Sequence, residues 1–95
     1  MTSVLLVGAG AVGTRAGRQL VDTPEVERVL IADRSSQRAR LVADALGPKA
    51  EPAPWPTDEM PDVRAVATAL PASATMPVAR AAVANGCSIA SVCDE

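Results

Sequence analysis

The fold is decided early in the sequence, by the run VLLVGAGAVG at residues 4–13. The apolar residues that open it predict a strand at 3–7, of the kind that a parallel sheet buries on both faces. From residue 11 to residue 21, small and apolar residues recur at helical spacing. They are Gly13, Ala16, Gly17 and Leu20. The stretch therefore predicts a buried strand, a glycine-rich turn and a helix with a narrow inner face.

Strands and helices alternate along the rest of the chain. The further predicted strands lie at residues 28–32, 49–53, 63–70 and 87–92. Proline is tolerated at sheet edges, so the proline-containing segment 49–53 is predicted as a short edge strand. One helix is predicted to begin at Ser35 or Ser36 and to end at Gly47 as a left-handed residue, and another covers 73–85.

This order of elements predicts an α/β fold with a doubly wound, Rossmann-like parallel sheet. Right-handed crossovers place the strands in the order 3-2-1-4-5. A complete domain of this kind has a sixth strand, so we expect this one to be truncated after the fifth. The strand at 87–92 is then an open apolar edge, which favours pairing with a second copy or a partner domain.

Composition limits the classes of function. A chain of 95 residues allows a single domain, 1–95, and its nine Lys and Arg against eleven Asp and Glu provide no basic surface for nucleic acid or for a membrane. With no charged leader before the first strand, the expected location is cytoplasmic. Cys87 and Cys93 lie about 20 Å apart if the segment is extended, too far for a disulfide. With no histidine in the chain, no metal site is predicted.

The glycines of the first turn match the pattern G-x-G-x-x-G between a strand and a helix, which is typical of dinucleotide-binding domains. Gly8 would form the tight turn, Gly10 would let the backbone approach a pyrophosphate, and Gly13 would let helix and strand pack closely. Ala11 and Val12 belong to the first turn of the helix, where free amide groups favour phosphate. The motif predicts a cofactor site at these five residues.

An acidic residue strengthens this prediction. Asp33 follows the second predicted strand, twenty residues after Gly13, where a carboxylate accepts hydrogen bonds from the adenosine ribose. Asp33 favours NAD, whereas Arg34 and Arg38 are suited to the 2′-phosphate of NADP. NAD is therefore the predicted cofactor, with NADP as the alternative. For Trp55, stacking on adenine and covering a hydrophobic edge both stay open.

Three segments carry a resemblance to a known family: residues 4–17, residues 29–34, and the run 69–86, which contains a Leu-Pro pair and an alanine-rich segment ending in Asn-Gly. Together they resemble the N-terminal NAD(P)-binding domain of the saccharopine dehydrogenase family. The resemblance implies an oxidoreductase acting at carbon–nitrogen bonds, with Leu70 and Pro71 near the nicotinamide and a second domain for the substrate. The glucose–fructose oxidoreductase family is similar too, but its Glu-Lys-Pro after the fifth strand is missing here.

Groups for proton transfer are scarce in this sequence. It contains no histidine and no tyrosine, and its single lysine, Lys49, lies in a proline-rich connection. We therefore assign no catalytic residue and expect the chain to bind a dinucleotide without being catalytically complete alone. Two other classes stay open: a non-catalytic nucleotide-sensing module, and an interaction fragment that pairs through its fifth strand.

Overall fold

The structure, a computed structural model, describes residues 2–55, 63–69, 78, 80, 86 and 88–91. The strands in these ranges are β1 Thr2–Val7, β2 Val26–Ala32, β3 Ala50–Pro52, β4 Ala65–Thr68 and β5 Ser88–Ser91. The helices that have both ends within them are α1 Ala11–Val21 and α2 Ser36–Leu46. The strands form one parallel sheet in the order β3-β2-β1-β4-β5, so the predicted doubly wound α/β topology is confirmed.

Element boundaries differ from the predictions mainly at β2 and β4. β2 begins at Val26, two residues earlier than predicted, because the register shifts there: Thr2 of β1 pairs with Val26, and Ser3 pairs with Arg28. Glu27 and Arg28 are both exposed, so the apolar run that predicted this strand does not extend back to Val26. β4 is shorter than the predicted 63–70. Of the predicted helix 73–85, only Val78 and Arg80 lie in the described part, and both are helical.

Both faces of the sheet are covered, as the apolar β1 predicts. One face packs against α1 and α2 through a core cluster that includes Val4, Leu6, Val29, Ile31, Ala39 and Ala43. The other face carries Leu5, Val7, Leu30, Ala32 and Val66, which pack with Val78 and with the half-buried Val63 and Trp55. Consecutive residues of β1 thus enter opposite cores.

Helix α1 lies close to the sheet because its inner face lacks side chains at two positions. A Cβ at Gly13 would overlap the carbonyl oxygen of Gly8 and lie 2.9 Å from the carbonyl carbon. A Cβ at Gly17 would lie 2.7 Å from Cδ1 of Leu46 in α2 and 3.4 Å from Cδ2 of Leu6 in β1. The narrow face therefore places the first turn of α1 directly above the end of β1.

Helix α2 has the predicted ends, with one difference. Ser35 is its N-cap, and the Ser35 hydroxyl accepts a hydrogen bond from the Arg38 amide at 3.2 Å. Gly47 ends the helix at φ +106° and ψ −166°. The positive φ was predicted, but the extended ψ places Gly47 outside the left-handed helical region, in a region that is essentially restricted to glycine.

Substitution by alanine should lower the stability of the fold at Gly13 but leave it nearly unchanged at Gly10. Gly13→Ala should lower the free energy of unfolding by about 1–3 kcal/mol, because the new methyl group meets rigid backbone rather than a flexible side chain. Gly10→Ala should change it by less than about 0.5 kcal/mol, because a Cβ at Gly10 meets no atom of the described residues within 4 Å. Urea unfolding of both variants checks this, and equal midpoints would show that the close approach of α1 does not limit packing.

Candidate functional site

The carboxyl ends of the three central strands meet at the glycine-rich turn. The Gly8 amide donates to the carbonyl oxygen of Ala32 at 2.8 Å, and the Ala69 amide donates to that of Val7 at 2.8 Å. Within the sheet, β2 is the neighbour of β1 on one side and β4 is its neighbour on the other. This is the switch point at which doubly wound sheets open a crevice for ligands.

Each glycine of the turn has a distinct conformation or environment. Gly8 has φ +104°, which other residues rarely adopt, and it is buried. Gly10 is the exposed N-cap of α1, with φ −79° and ψ −163°. No side chain caps α1 at this end. The first-turn amides of α1 lie next to Gly10 in the chain and have no side-chain cap from it, so they can donate hydrogen bonds to an anionic ligand.

Asp33 connects the end of β2 to the glycine-rich turn. Its Oδ1 accepts a hydrogen bond from the Ala9 amide at 2.9 Å, and its Oδ2 accepts one from the Ser35 amide at 2.9 Å. Nη1 of Arg38 lies 3.9 Å from Oδ2, and the Asp33 side chain is 11% exposed. A carboxylate has about four lone-pair positions, so two amide donors leave room for ribose hydroxyls.

The sequence predicted Asp33 as a ribose ligand but gave no sign of its bond to Ala9. The separation of 24 residues between the two partners gives no local signal in the sequence. The bond exists because parallel β1 and β2 end side by side, with Val7 paired to Ala32. Asp33 is thus a structural element of the turn as well as a candidate ligand.

Arg34 and Trp55 are in contact beside Asp33. The Arg34 guanidinium carbon lies 5.0 Å from the centroid of the Trp55 ring, a cation–π distance. Arg34 is exposed, and Trp55 is half-buried against the core of the second sheet face. Covering a hydrophobic surface, one of the two interpretations offered for Trp55, therefore describes its inner side.

Other predicted residues lie away from the turn or outside the described ranges. Lys49 donates to the carbonyl oxygen of Thr23 at 3.3 Å. The two residues precede β3 and β2, so Lys49 lies at the amino ends of the strands, away from the glycine-rich turn. Leu70 and Pro71 fall outside the described residues, as does the side chain of Val12.

In the part of the chain that the structure describes, no cluster of side chains could hold a metal ion. No helix in that part has the length and apolar character needed to cross a bilayer.

A family model described as "Oxidoreductase family, NAD-binding Rossmann fold" (GFO/IDH/MocA) matches residues 2–94. The chain belongs to this family. It is therefore an NAD-binding Rossmann-fold domain of an oxidoreductase family, as the sequence analysis predicted at this level. The missing Glu-Lys-Pro had counted against the glucose–fructose oxidoreductase family, and that inference was wrong. The saccharopine dehydrogenase assignment stays a prediction.

Solved structures share the fold. A myo-inositol dehydrogenase from Corynebacterium glutamicum is 28% identical with a TM-score of 0.81, and the match covers 96% of this chain and 27% of that one. Saccharopine dehydrogenase (L-Glu forming) from Saccharomyces cerevisiae is 19% identical with a TM-score of 0.75, over 96% and 21% of the two chains. The chain thus spans about a quarter or less of these enzymes. A search of curated proteins found no significant match.

The turn fits the dinucleotide that the family implies. A Cβ at Gly10 would occupy open space, which is the space that an approaching pyrophosphate needs. Uncapped helix amides lie beside it, and a carboxylate with spare acceptor positions lies at the end of the neighbouring strand. Phosphate, ribose and backbone therefore have complementary groups in one place.

Removing the negative charge of Asp33 should destabilise the fold. Asp33→Asn replaces one acceptor oxygen by an NH₂ group, which leaves the Ala9 or the Ser35 amide facing a donor. The expected loss is about 1–3 kcal/mol in the free energy of unfolding. Asp44→Asn, an exposed aspartate of α2, is the matched control and should change stability by less than about 0.5 kcal/mol. If urea unfolding gives both variants the same midpoint, the two amide bonds of Asp33 do not stabilise the turn.

Proposed function

We propose that this chain binds NAD at the glycine-rich turn and serves as the cofactor-binding part of an oxidoreductase. The observation that carries the proposal is the exposed Gly10, whose missing side chain leaves open space in front of the uncapped amino end of α1. When bound, the cofactor would accept a hydride as NAD or donate one as NADH. The residues of this chain hold and orient it.

Each predicted ligand has a role in this proposal. Gly8, Gly10 and Gly13 shape the turn, and the backbone of Ala11 and Val12 offers amide groups to the pyrophosphate. Asp33 accepts hydrogen bonds from the adenosine ribose. Leu70 and Pro71 are proposed to lie near the nicotinamide. The residues 1–95 are proposed to form one binding domain.

The surroundings of Asp33 favour NAD over NADP. The carboxylate accepts two backbone amides, so it is fixed where a 2′-phosphate would have to lie and would repel it. Arg38, at 3.9 Å from Oδ2, offsets part of that charge, and Arg34 lies over Trp55. NADP binding would require one of these arginines to move to the phosphate.

Catalysis is proposed to need a second domain or chain. In the narrower form of the proposal, the substrate is an amino-acid derivative oxidised at a carbon–nitrogen bond, as the saccharopine dehydrogenase resemblance implies. The Leu-Pro pair and the alanine-rich run at 69–86 support this form. The myo-inositol dehydrogenase, similar at 28% identity, supports a cyclic polyol instead. In the presence of that second domain or chain, NAD reduction with a polyol but not with a secondary-amine amino acid would contradict the carbon–nitrogen form.

Calorimetric titration of the chain tests the proposed cofactor. NAD and NADH should bind, and NADP and NADPH should bind more weakly because of the fixed Asp33 charge. Gly10→Val should abolish binding while the fold is kept, because its extended φ and ψ suit valine and its Cβ meets no atom. The control Ala45→Val also introduces a valine, at an exposed position of α2, and should bind normally.

Two results of this titration would contradict the proposal. The first is the absence of heat with all four dinucleotides at millimolar concentration. The second is unchanged affinity in Gly10→Val, which would place any binding away from the glycine-rich turn.

A further inference from the structure

The contact between Arg34 and Trp55 lies at the edge of the sheet where the proposed cofactor binds. Arg34 comes two residues after β2 ends, directly after Asp33, and Trp55 comes three residues after β3 ends. β2 and β3 are parallel neighbours, so their carboxyl ends share one edge. Arg34 is thus the next residue along from the carboxylate assigned to the ribose.

The core of the second sheet face holds the indole of Trp55 on one side. The indole packs against this core, which includes Leu30 and Ala32 of β2. The chain just before it is tied to the sheet, because the Ala53 amide donates to the carbonyl oxygen of Ile31 at 2.8 Å. The core and the backbone hydrogen bond of Ala53 therefore hold the Trp55 ring in a fixed position.

The guanidinium of Arg34 lies over the Trp55 ring, and Arg34 is an exposed residue. Its carbon lies 5.0 Å from the ring centroid. Among the described residues, Arg28 and Arg38 have carboxylate partners, and no ion pair of Arg34 is found. A planar guanidinium that rests on an aromatic ring keeps a second face for another planar group.

We propose that this outer face of Arg34 stacks on the adenine of the bound nucleotide and that Trp55 is a positioning residue that holds the guanidinium for it. The inference rests on the proposed function, since Asp33 must hold the ribose for the base to reach Arg34. The base is joined directly to that ribose, and Arg34 is joined directly to Asp33. Purines stack well on guanidinium planes.

The chain contains a built-in reporter for this contact. Trp55 is its only tryptophan, and it has no tyrosine or phenylalanine, so its intrinsic fluorescence comes from this site alone. Titration with ADP-ribose or NAD should change the intensity or the emission maximum of Trp55. Nicotinamide mononucleotide, which lacks adenine, should leave the emission unchanged at the same concentration.

Substitutions separate stacking from charge. Arg34→Gln should weaken ADP-ribose binding about tenfold, as expected for loss of a stacked cation. Arg34→Lys keeps the charge without the plane and should weaken it nearly as much. The control Arg64→Gln removes an exposed arginine just before β4, at the amino ends of the strands, and this variant should bind ADP-ribose normally.

A double-mutant cycle tests the positioning role of Trp55. Trp55→Leu should also weaken ADP-ribose binding, and its effect should largely vanish in the Arg34→Gln background, because the two residues act through one group. Trp55→Phe keeps an aromatic surface and should retain most of the affinity. It replaces Trp55→Leu if that variant fails to fold.

The outcomes distinguish this inference from the function it rests on. Dinucleotide binding by calorimetry with no change in Trp55 emission and full affinity in Arg34→Gln would overturn the stacking and leave the proposed function standing. Loss of NADP binding alone in Arg34→Gln would assign Arg34 to the 2′-phosphate and also overturn it. No calorimetric binding of any dinucleotide would overturn both.

Discussion

The site depends on the close approach of Gly13 to the carbonyl group of Gly8. Because no Cβ separates them, α1 begins directly above the end of β1, and its first turn faces the carboxyl edge of the sheet. That position exposes Gly10 at an uncapped helix start. A larger residue at position 13 would push the helix away, and the amides and the open space would no longer lie together. A packing constraint between two backbone segments thus determines where an anion can bind.

Asp33 adds a second constraint from the neighbouring strand. By accepting the Ala9 amide, it fixes the turn to the end of β2, and by accepting the Ser35 amide, it fixes the start of α2. The same carboxylate is the proposed ribose ligand. Stability and the proposed binding therefore depend on one side chain, which the chain's own hydrogen bonds hold in place. The contact of Arg34 with Trp55 extends this prepared edge from β2 to β3.

The sequence was sufficient for features that local patterns encode. Residues 4–13 predicted the strand, turn and helix, Ser35 predicted the start of α2, and the alternation of elements predicted the strand order. Patterns could not predict the bond from Asp33 to Ala9 or the position of Arg34 on Trp55, because these depend on which strand ends lie side by side. The irregular start of β2 was missed because two exposed charged residues separate Val26 from the apolar run that predicted the strand. The glucose–fructose oxidoreductase family was set aside because one absent tripeptide was weighed against an otherwise similar sequence.

The hydrogen bonds of the chain itself hold the turn in place, and hydrogen exchange of the Ala9 amide measures this directly. In the ligand-free chain, NMR should show this amide exchanging as slowly as that of Gly8, which bonds to Ala32 within the sheet. Protection is expected because the Ala9 amide is bonded to a nearly buried carboxylate. Exchange at the rate of an unstructured chain would contradict the claim and show that the turn forms only when a cofactor binds.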